Sequence, residues 1–263
     1  MRFRARKTLV SMLLAFAPLY AAADKLQDSL NALGSENTSV SRDAEKYLSQ
    51  HSQQAEPLLR TMLRDDSKPP LARFRAAELL GGFGDKAVVA DMQQVLSSGS
   101  EKNAAVRVEI VRSLVRLGSS STLIDYLKQG KEDSPSVQAA IAIGLQDSTD
   151  EESKKALSSL LASPDRRVFQ AAFTAVCKIY QPATSADKNC PSSPAPAPSG
   201  GTTKKTPRFN MAETAGTGDK ANPTQGDQAI FQALQSKRAS DDPQTSHNAA
   251  GLLSTLSEHY KQQ

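Results

Sequence analysis

Residues 72–96, ARFRAAELLGGFGDKAVVADMQQVL (Ala72–Leu96), read as two short helices broken by a glycine-rich turn. The first carries Ala72, Ala76 and Leu80 at i, i+4 and i+8, so all three lie on one helical face. Gly81-Gly82-Phe83-Gly84 then supplies residues that tolerate positive φ and end a helix, and Asp85 is placed to cap the next. The second helix offers Val88, Val89, Met92, Val95 and Leu96. Helices this short are marginal alone in water. Each must pack against its partner and against neighbouring copies of the same arrangement.

Those copies exist. With Val40, Ala72, Val106, Val137 and Val168 as anchors, successive steps are 32, 34, 31 and 31 residues. Four residues on stand Ala44, Ala76, Ile110, Ile141 and Ala172, and eight on stand Leu48, Leu80, Leu114, Leu145 and Val176. All fifteen positions are apolar in a chain that is 38% hydrophobic, which argues for a repeat rather than coincidence. Anchor plus five is apolar as well in Ala77, Val111, Ala142 and Phe173. A stripe this broad suits a helix that touches a partner and adjacent repeats together. Each of the first four repeats then supplies a second apolar helix, through Leu58, Leu59, Met62 and Leu63, Met92 and Val95, Leu123 and Leu127, and Leu157 and Leu160. Thr149-Asp150-Glu151-Glu152 fits a capping box, and Ser134-Pro135 and Ser163-Pro164 each place a capping side chain before a proline at the first helical position. No segment alternates with period two over β-branched and aromatic residues. The expected fold class is all-α, an α-solenoid of about five helix pairs.

The segments ARFRAAELLGGFGD, VRVEIVRSLVRLGS and VQAAIAIGLQDS resemble the first helix and turn of HEAT repeats, in the short form also seen in proteins related to bilin lyases. The likeness covers about residues 40–180, and Arg73 and Arg107 fall at the arginine of that pattern, whereas Ser41, Gln138 and Phe169 do not keep it. The repeats are shorter than the ~40–47 residues usual for HEAT and armadillo units. Tetratricopeptide repeats fit less well, because tryptophan is absent and their Gly/Tyr/Pro signature is not in register. Solenoids of this kind mostly bind other molecules.

The two ends differ. Leu26, Leu30 and Leu33 share one face of a helix that would cover the first repeat. After Tyr180 the expected second helix is replaced by a Pro/Ser/Thr/Gly-rich stretch, read as a mobile linker over residues 183–226 that follows a repeat region at 24–182. Helical patterning resumes in 227–263, around Ile230, Phe231 and Leu234 and around Ala249, Leu252, Leu253 and Leu256. Two readings are open for it. These helices fold back to cap the last repeat, or they form a separate tether that recognises something else. The first is preferred, since a repeat without its second helix would expose Ala172, Val176 and Ile179.

Residues 1–23 read as a secretory signal peptide. Arg2, Arg4, Arg6 and Lys7 precede an apolar run from Leu9 to Leu19, and Ala21-Ala22-Ala23 offers a cleavage site. The run is short of the roughly 20 residues of a spanning helix and is broken by Pro18. The expected product is periplasmic or secreted, with no stable membrane insertion after cleavage. Four of the 32 basic side chains lie in this segment, which holds no acid; the rest of the chain balances 28 against 28 acids. The sequence pI near 9.0 is therefore a property of the targeting segment, and a nucleic-acid partner loses its support. In an oxidising compartment Cys177 and Cys190 can pair. The alternative is a small core side chain at Cys177 and a free thiol at Cys190.

Chemistry is sparse. His51, His247 and His259 stand far apart, and no cluster has metal-ligand spacing. His51 occupies a repeat position taken elsewhere by Phe83, Leu117 and Ile179, so it reads as helix-end packing. Gly81-Gly82-x-Gly84 follows a helix rather than a strand, unlike a dinucleotide loop. Carboxylate runs fall at turns and helix starts, where capping accounts for them. No cofactor and no catalytic group is expected. The expectation is an exported, non-catalytic scaffold that binds a protein or peptide along the second helices, with Gln93, Gln94, Tyr126 and Lys128 as candidate contacts. A lyase-type enzyme on the same scaffold, or a spacer whose C-terminal helices recognise the partner, are the alternatives.

Overall fold

The computed structural model describes residues 24–180 and 223–262, and every regular element among the described residues is helical. The fold class is all-α, built from stacked helix pairs of the α-solenoid type. The chain divides into two compact units between Gly144 and Leu145.

The first unit contains α1 (24–32), α2 (Thr38–Gln50), α3 (Ser52–Arg64), α4 (Pro70–Phe83), α5 (Val89–Ser98), α6 (Ala104–Arg116), α7 (Ser120–Lys128) and α8 (Pro135–Gly144). First helices pack on first helices, α4 between α2 and α6 and α6 between α4 and α8, while α5 lies between α3 and α7. The repeat positions explain this order. Ala72, Val106 and Val137, with Ala76, Ile110 and Ile141 four residues on, are buried between these helices. Burying a valine or isoleucine side chain contributes about 1.5–3 kcal/mol, so the repeating stripe is the main source of cohesion.

The first repeat departs from the expected register. Val40 is 43% exposed, and its neighbour Ser41 takes the inward position with Ala44 and Leu48. Ser41 tolerates burial because its hydroxyl donates to the Thr38 carbonyl at 3.3 Å, leaving no unmatched polar group. Val40 instead borders a shallow cleft beside Lys25 and Tyr47. Leu58 is likewise exposed, one position off the buried face of Leu59, Met62 and Leu63.

The glycine run also reads differently. Gly81, Gly82 and Phe83 continue α4, and only Gly84, at φ 78°, is the left-handed C-cap. Gly81 is there for contact between helices: a Cβ at this position would lie 2.5 Å from the Ser113 hydroxyl of α6. That hydroxyl donates to the Ala77 carbonyl of α4 at 2.8 Å, so α4 and α6 approach closely enough to share a hydrogen bond. Asp85 does cap the following turn, accepting from the Ala87 amide at 2.8 Å.

The second unit contains α9 (Glu151–Leu161), α10 (Arg166–Tyr180), α11 (Gln225–Arg238) and α12 (Pro243–Gln262). Asp150, rather than Thr149, caps α9 by accepting from the Ser153 amide at 2.9 Å. At the start of α10 the cap is Asp165, which accepts from the Arg167 amide at 2.8 Å; its carboxylate is a stronger acceptor than the expected Ser163 hydroxyl. The α11 helix begins two residues before the expected 227, because Thr224 and Asp227 form a capping box. It packs along α9, and α12 packs against both α11 and α10. Ile230, Leu234, Ala249, Leu252 and Leu256 are buried in that contact. The expected linker falls, from residue 183 to residue 222, outside the described residues.

Candidate functional site

Two places gather polar side chains in ways that packing alone does not require. The first is the row of second helices in the first unit. Asp91 of α5 is only 6% exposed and is ion-paired with two arginines of α3. Arg64 Nη1 lies 3.0 Å from Asp91 Oδ1, and Arg60 Nε donates to Asp91 Oδ2. Arg60 is further held by Glu56 at 3.5 Å, one helical turn earlier. Between α5 and α7 the Gln129 side-chain amide donates to the Ser97 hydroxyl at 3.2 Å. One buried carboxylate thus fixes two guanidinium groups, and Gln94 on its own helix and Lys128 on α7 are both exposed. Fixed guanidinium and amide donors suit carbonyl and carboxylate acceptors of a polypeptide.

Of the residues expected here, Gln94 on α5 and Lys128 on α7 are exposed and Gln93 is half-buried. Tyr126 does not belong to the surface. It is 4% exposed, and its hydroxyl donates to Glu132 Oε2 at 2.6 Å. Burial, reinforced by that bond to a carboxylate, pushes the hydroxyl well above its ordinary pKa. Tyr126 turns inward because Glu132, in the loop after α7, gives its polar tip a partner without solvent. Arg60, Arg64 and Asp91 escaped sequence reading. The available signal was an aspartate set beside Met92 on the helix, with its partners about 30 residues earlier, Arg60 being 31 away.

Glu132 also explains the arginines of the repeat pattern. Arg107 donates to it twice, from Nε at 2.9 Å and Nη2 at 3.0 Å, and the Ser134 amide donates at 2.8 Å. One repeat earlier Arg73 Nη1 lies 2.5 Å from Glu101 Oε2, and the Asn103 amide donates to Glu101 Oε1 at 2.7 Å. In each case an arginine on a first helix holds the glutamate two residues before the N-terminal cap of the next. These pairs are buried struts, not a contact surface.

The second place lies in the second unit, around Asp227. Lys154 Nζ of α9 is 2.8 Å from Asp227 Oδ1, and the Tyr180 hydroxyl of α10 donates to the same oxygen. Thr224 donates to Oδ2 through its amide at 2.9 Å and its hydroxyl at 2.7 Å. The Tyr260 hydroxyl of α12 is bonded to Asp227 as well. Burial by itself opposes ionisation of Asp227; the bonds from Lys154, Tyr180 and Thr224 outweigh it and hold the carboxyl far below the ordinary carboxylate range. Burial and then Asp227 push Tyr180 far upward. Burial and Asp227 raise both tyrosine hydroxyls, so neither is poised to lose its proton near neutrality, and the bonds make a clamp joining four helices. Gly226 completes it. Its amide donates to Glu151 at 2.7 Å, and a Cβ there would meet Lys154 Cβ at 2.6 Å.

Beside the clamp, α11 and α12 border a cleft of about 550 Å³, lined by Phe231, Leu256 and Tyr260 with Gln228, Gln232 and Gln235. It is also lined by Pro223, whose carbonyl accepts from the Gln228 side-chain amide at 3.3 Å.

No group of three His, Cys, Asp or Glu side chains able to hold a metal occurs among the described residues. His51 stacks on Tyr47 with ring centroids 4.2 Å apart, at the junction of α2 and α3. His247 is exposed. Cys177 is buried on α10 and is not a free thiol, while Cys190 lies outside the described residues. No described helix is long and apolar enough to cross a membrane.

Residues 56–131, from α3 to just beyond α7, match the family described as HEAT repeats. No curated protein matches the chain. Among solved structures, the chain is similar to an engineered protein, with 15% identity, 89% of this chain and 97% of the other covered, and a TM-score of 0.44. It is also similar to a designed armadillo repeat protein, with 14% identity, 88% and 99% covered, and a TM-score of 0.39.

Proposed function

We propose that the chain is an exported, non-catalytic scaffold whose HEAT-like repeats bind a protein or peptide partner along α3, α5 and α7. The observation that carries this reading is the pair of arginines, Arg60 and Arg64, anchored on buried Asp91 beside the exposed Gln94. Donors held by a buried acid lose little conformational freedom when an acceptor arrives, which favours recognition at modest cost. A photocrosslinking residue in place of Gln94 should capture a partner in the exported fraction, and Arg60→Ala with Arg64→Ala should abolish that capture. Equal capture from Val115, an exposed position on a first helix, would remove the assignment.

Export is supported by the basic, apolar and small-residue order of residues 1–23. Sequencing of the mature N-terminus should return Asp24. In that compartment Cys177 pairs with Cys190, a bond that closes a short loop and stabilises by about 3 kcal/mol at most. Non-reducing peptide mapping should find the two joined.

A further inference from the structure

We propose that the cleft between α11 and α12 is the seat of this chain's own proline-rich stretch, Pro191–Pro198. The segment that contains it leaves α10 after Tyr180 and returns at Pro223. Both of these residues belong to the cleft's surroundings. Pro223 lines it, and the Tyr180 hydroxyl donates to Asp227, which also lines it. The 42 intervening residues, 181–222, are therefore tethered at both ends to residues beside it. With Cys190 joined to Cys177, one turn before Tyr180, the stretch Pro191–Pro198 starts from α10, and its eight residues, at up to about 3.3 Å each when extended, are long enough to span a cleft this size. A tethered strand also competes at an effective concentration on the order of millimolar.

The lining selects which part of the segment fits. Two aromatic rings and a leucine offer flat apolar surface, and three glutamines offer amide donors. A proline-rich strand matches both. It extends without internal hydrogen bonds, its carbonyls are free to accept, and little entropy is lost when it docks on aromatic side chains. The cleft already shows this pairing once, in the Gln228 amide on the Pro223 carbonyl. Charge makes the choice narrower. The one acid of the lining, Asp227, is matched by Lys154. The cleft thus holds nothing for the basic run Lys204–Arg208, whereas no charged residue stands between Lys188 and Lys204.

The test uses the full chain. A benzophenone side chain in place of Gln232, irradiated at low protein concentration, should crosslink within the same chain to residues 191–198. Crosslinks to residues 204–212, to a second copy, or to no part of the proline-rich stretch overturn the proposal. In a second measurement Pro194, Pro196 and Pro198 are all replaced by alanine, outside every described helix. Amide exchange at Phe231–Gln235 should then rise several-fold. Unchanged exchange overturns it too. Neither readout depends on the partner surface of α3, α5 and α7.

Discussion

The two compact units solve one problem, holding helix pairs together, with different parts. In the first, two buried pairs join a helix to the loop before the next repeat, Arg73 with Glu101 and Arg107 with Glu132 25 residues on. In the second, the ties reach across the long interval in the chain: Gly226 to Glu151 over 75 residues, Lys237 to Ser163 over 74, Asn248 to Gln170 over 78. Short-range struts let each repeat stabilise its neighbour as the chain proceeds. Long-range ties make α9 and α10 depend on helices that arrive late, after the cost of closing a long loop. The first unit should therefore resist local damage, and the second should fail as a whole.

The largest effect that could break this contrast is removal of α11 and α12. Deleting residues 223–263 uncovers the faces of α9 and α10 against which they pack and strips Lys154 and Tyr180 of Asp227. Cooperative unfolding of α9 and α10 should disappear, with their amides exchanging close to unprotected rates, while α4 and α6 keep their protection. Retention of protection in α10 would mean that the C-terminal helices only decorate the second unit.

Asp227→Asn sharpens the point with one atom. The Lys154 and Asp227 side chains are 12% and 4% exposed, and removing one partner of a buried pair costs about 3–5 kcal/mol. The loss should appear in the denaturant midpoint of the second unit alone. The pH dependence follows in sign. Because the folded-state carboxyl is held below its ordinary value, its stabilisation is complete above the unfolded pKa, about 3.9, and is lost as pH falls below that toward the folded value. Wild-type protein should lose second-unit stability below about pH 4 more steeply than Asp227→Asn does. Equal acid slopes for the two would show that other carboxylates govern the transition.

This contrast also sets what was legible in the sequence. Positions such as Ile110, Ile141 and Leu145 were readable because burial repeats with the helix period, and hydrophobicity is local information. Val40 and Tyr126 were misread for one reason. A hydroxyl with a partner can be buried: Ser41 donates to Thr38 in its own helix and Tyr126 to Glu132 in the loop after α7, and hydrophobic periodicity registers neither bond. The helices around Ile230 and Leu256 were visible, whereas the clamp that docks them was not. Asp227 reads as an ordinary first-turn acid of a capping box, and only the fold brings Tyr180, 47 residues away, to its other oxygen. Along the second helices Gln94 and Lys128 were readable as exposed polar positions, but Asp91 and its arginines are coupled between helices, which no periodicity records.

A smaller effect tests the close approach inside the first unit. Gly81→Ala sets a methyl group 2.5 Å from the Ser113 hydroxyl and 2.9 Å from the Ser113 Cα, so backbone as well as side chain must shift. Overpacking of this kind costs about 1–3 kcal/mol. The same change one residue on should do the opposite. Gly82 lies within α4 and has nothing within 4 Å of a built Cβ, so alanine there removes unfolded-state freedom without a clash. Gly82→Ala should raise stability by roughly 0.5–1 kcal/mol. Thermal unfolding of the two variants side by side, in the full chain, should shift in opposite directions. If both lower the midpoint of the first unit, its helices are spaced by something other than the Gly81–Ser113 contact. If neither moves it, α4 is frayed at this end, and the strut at Arg73, two turns earlier, carries the junction alone.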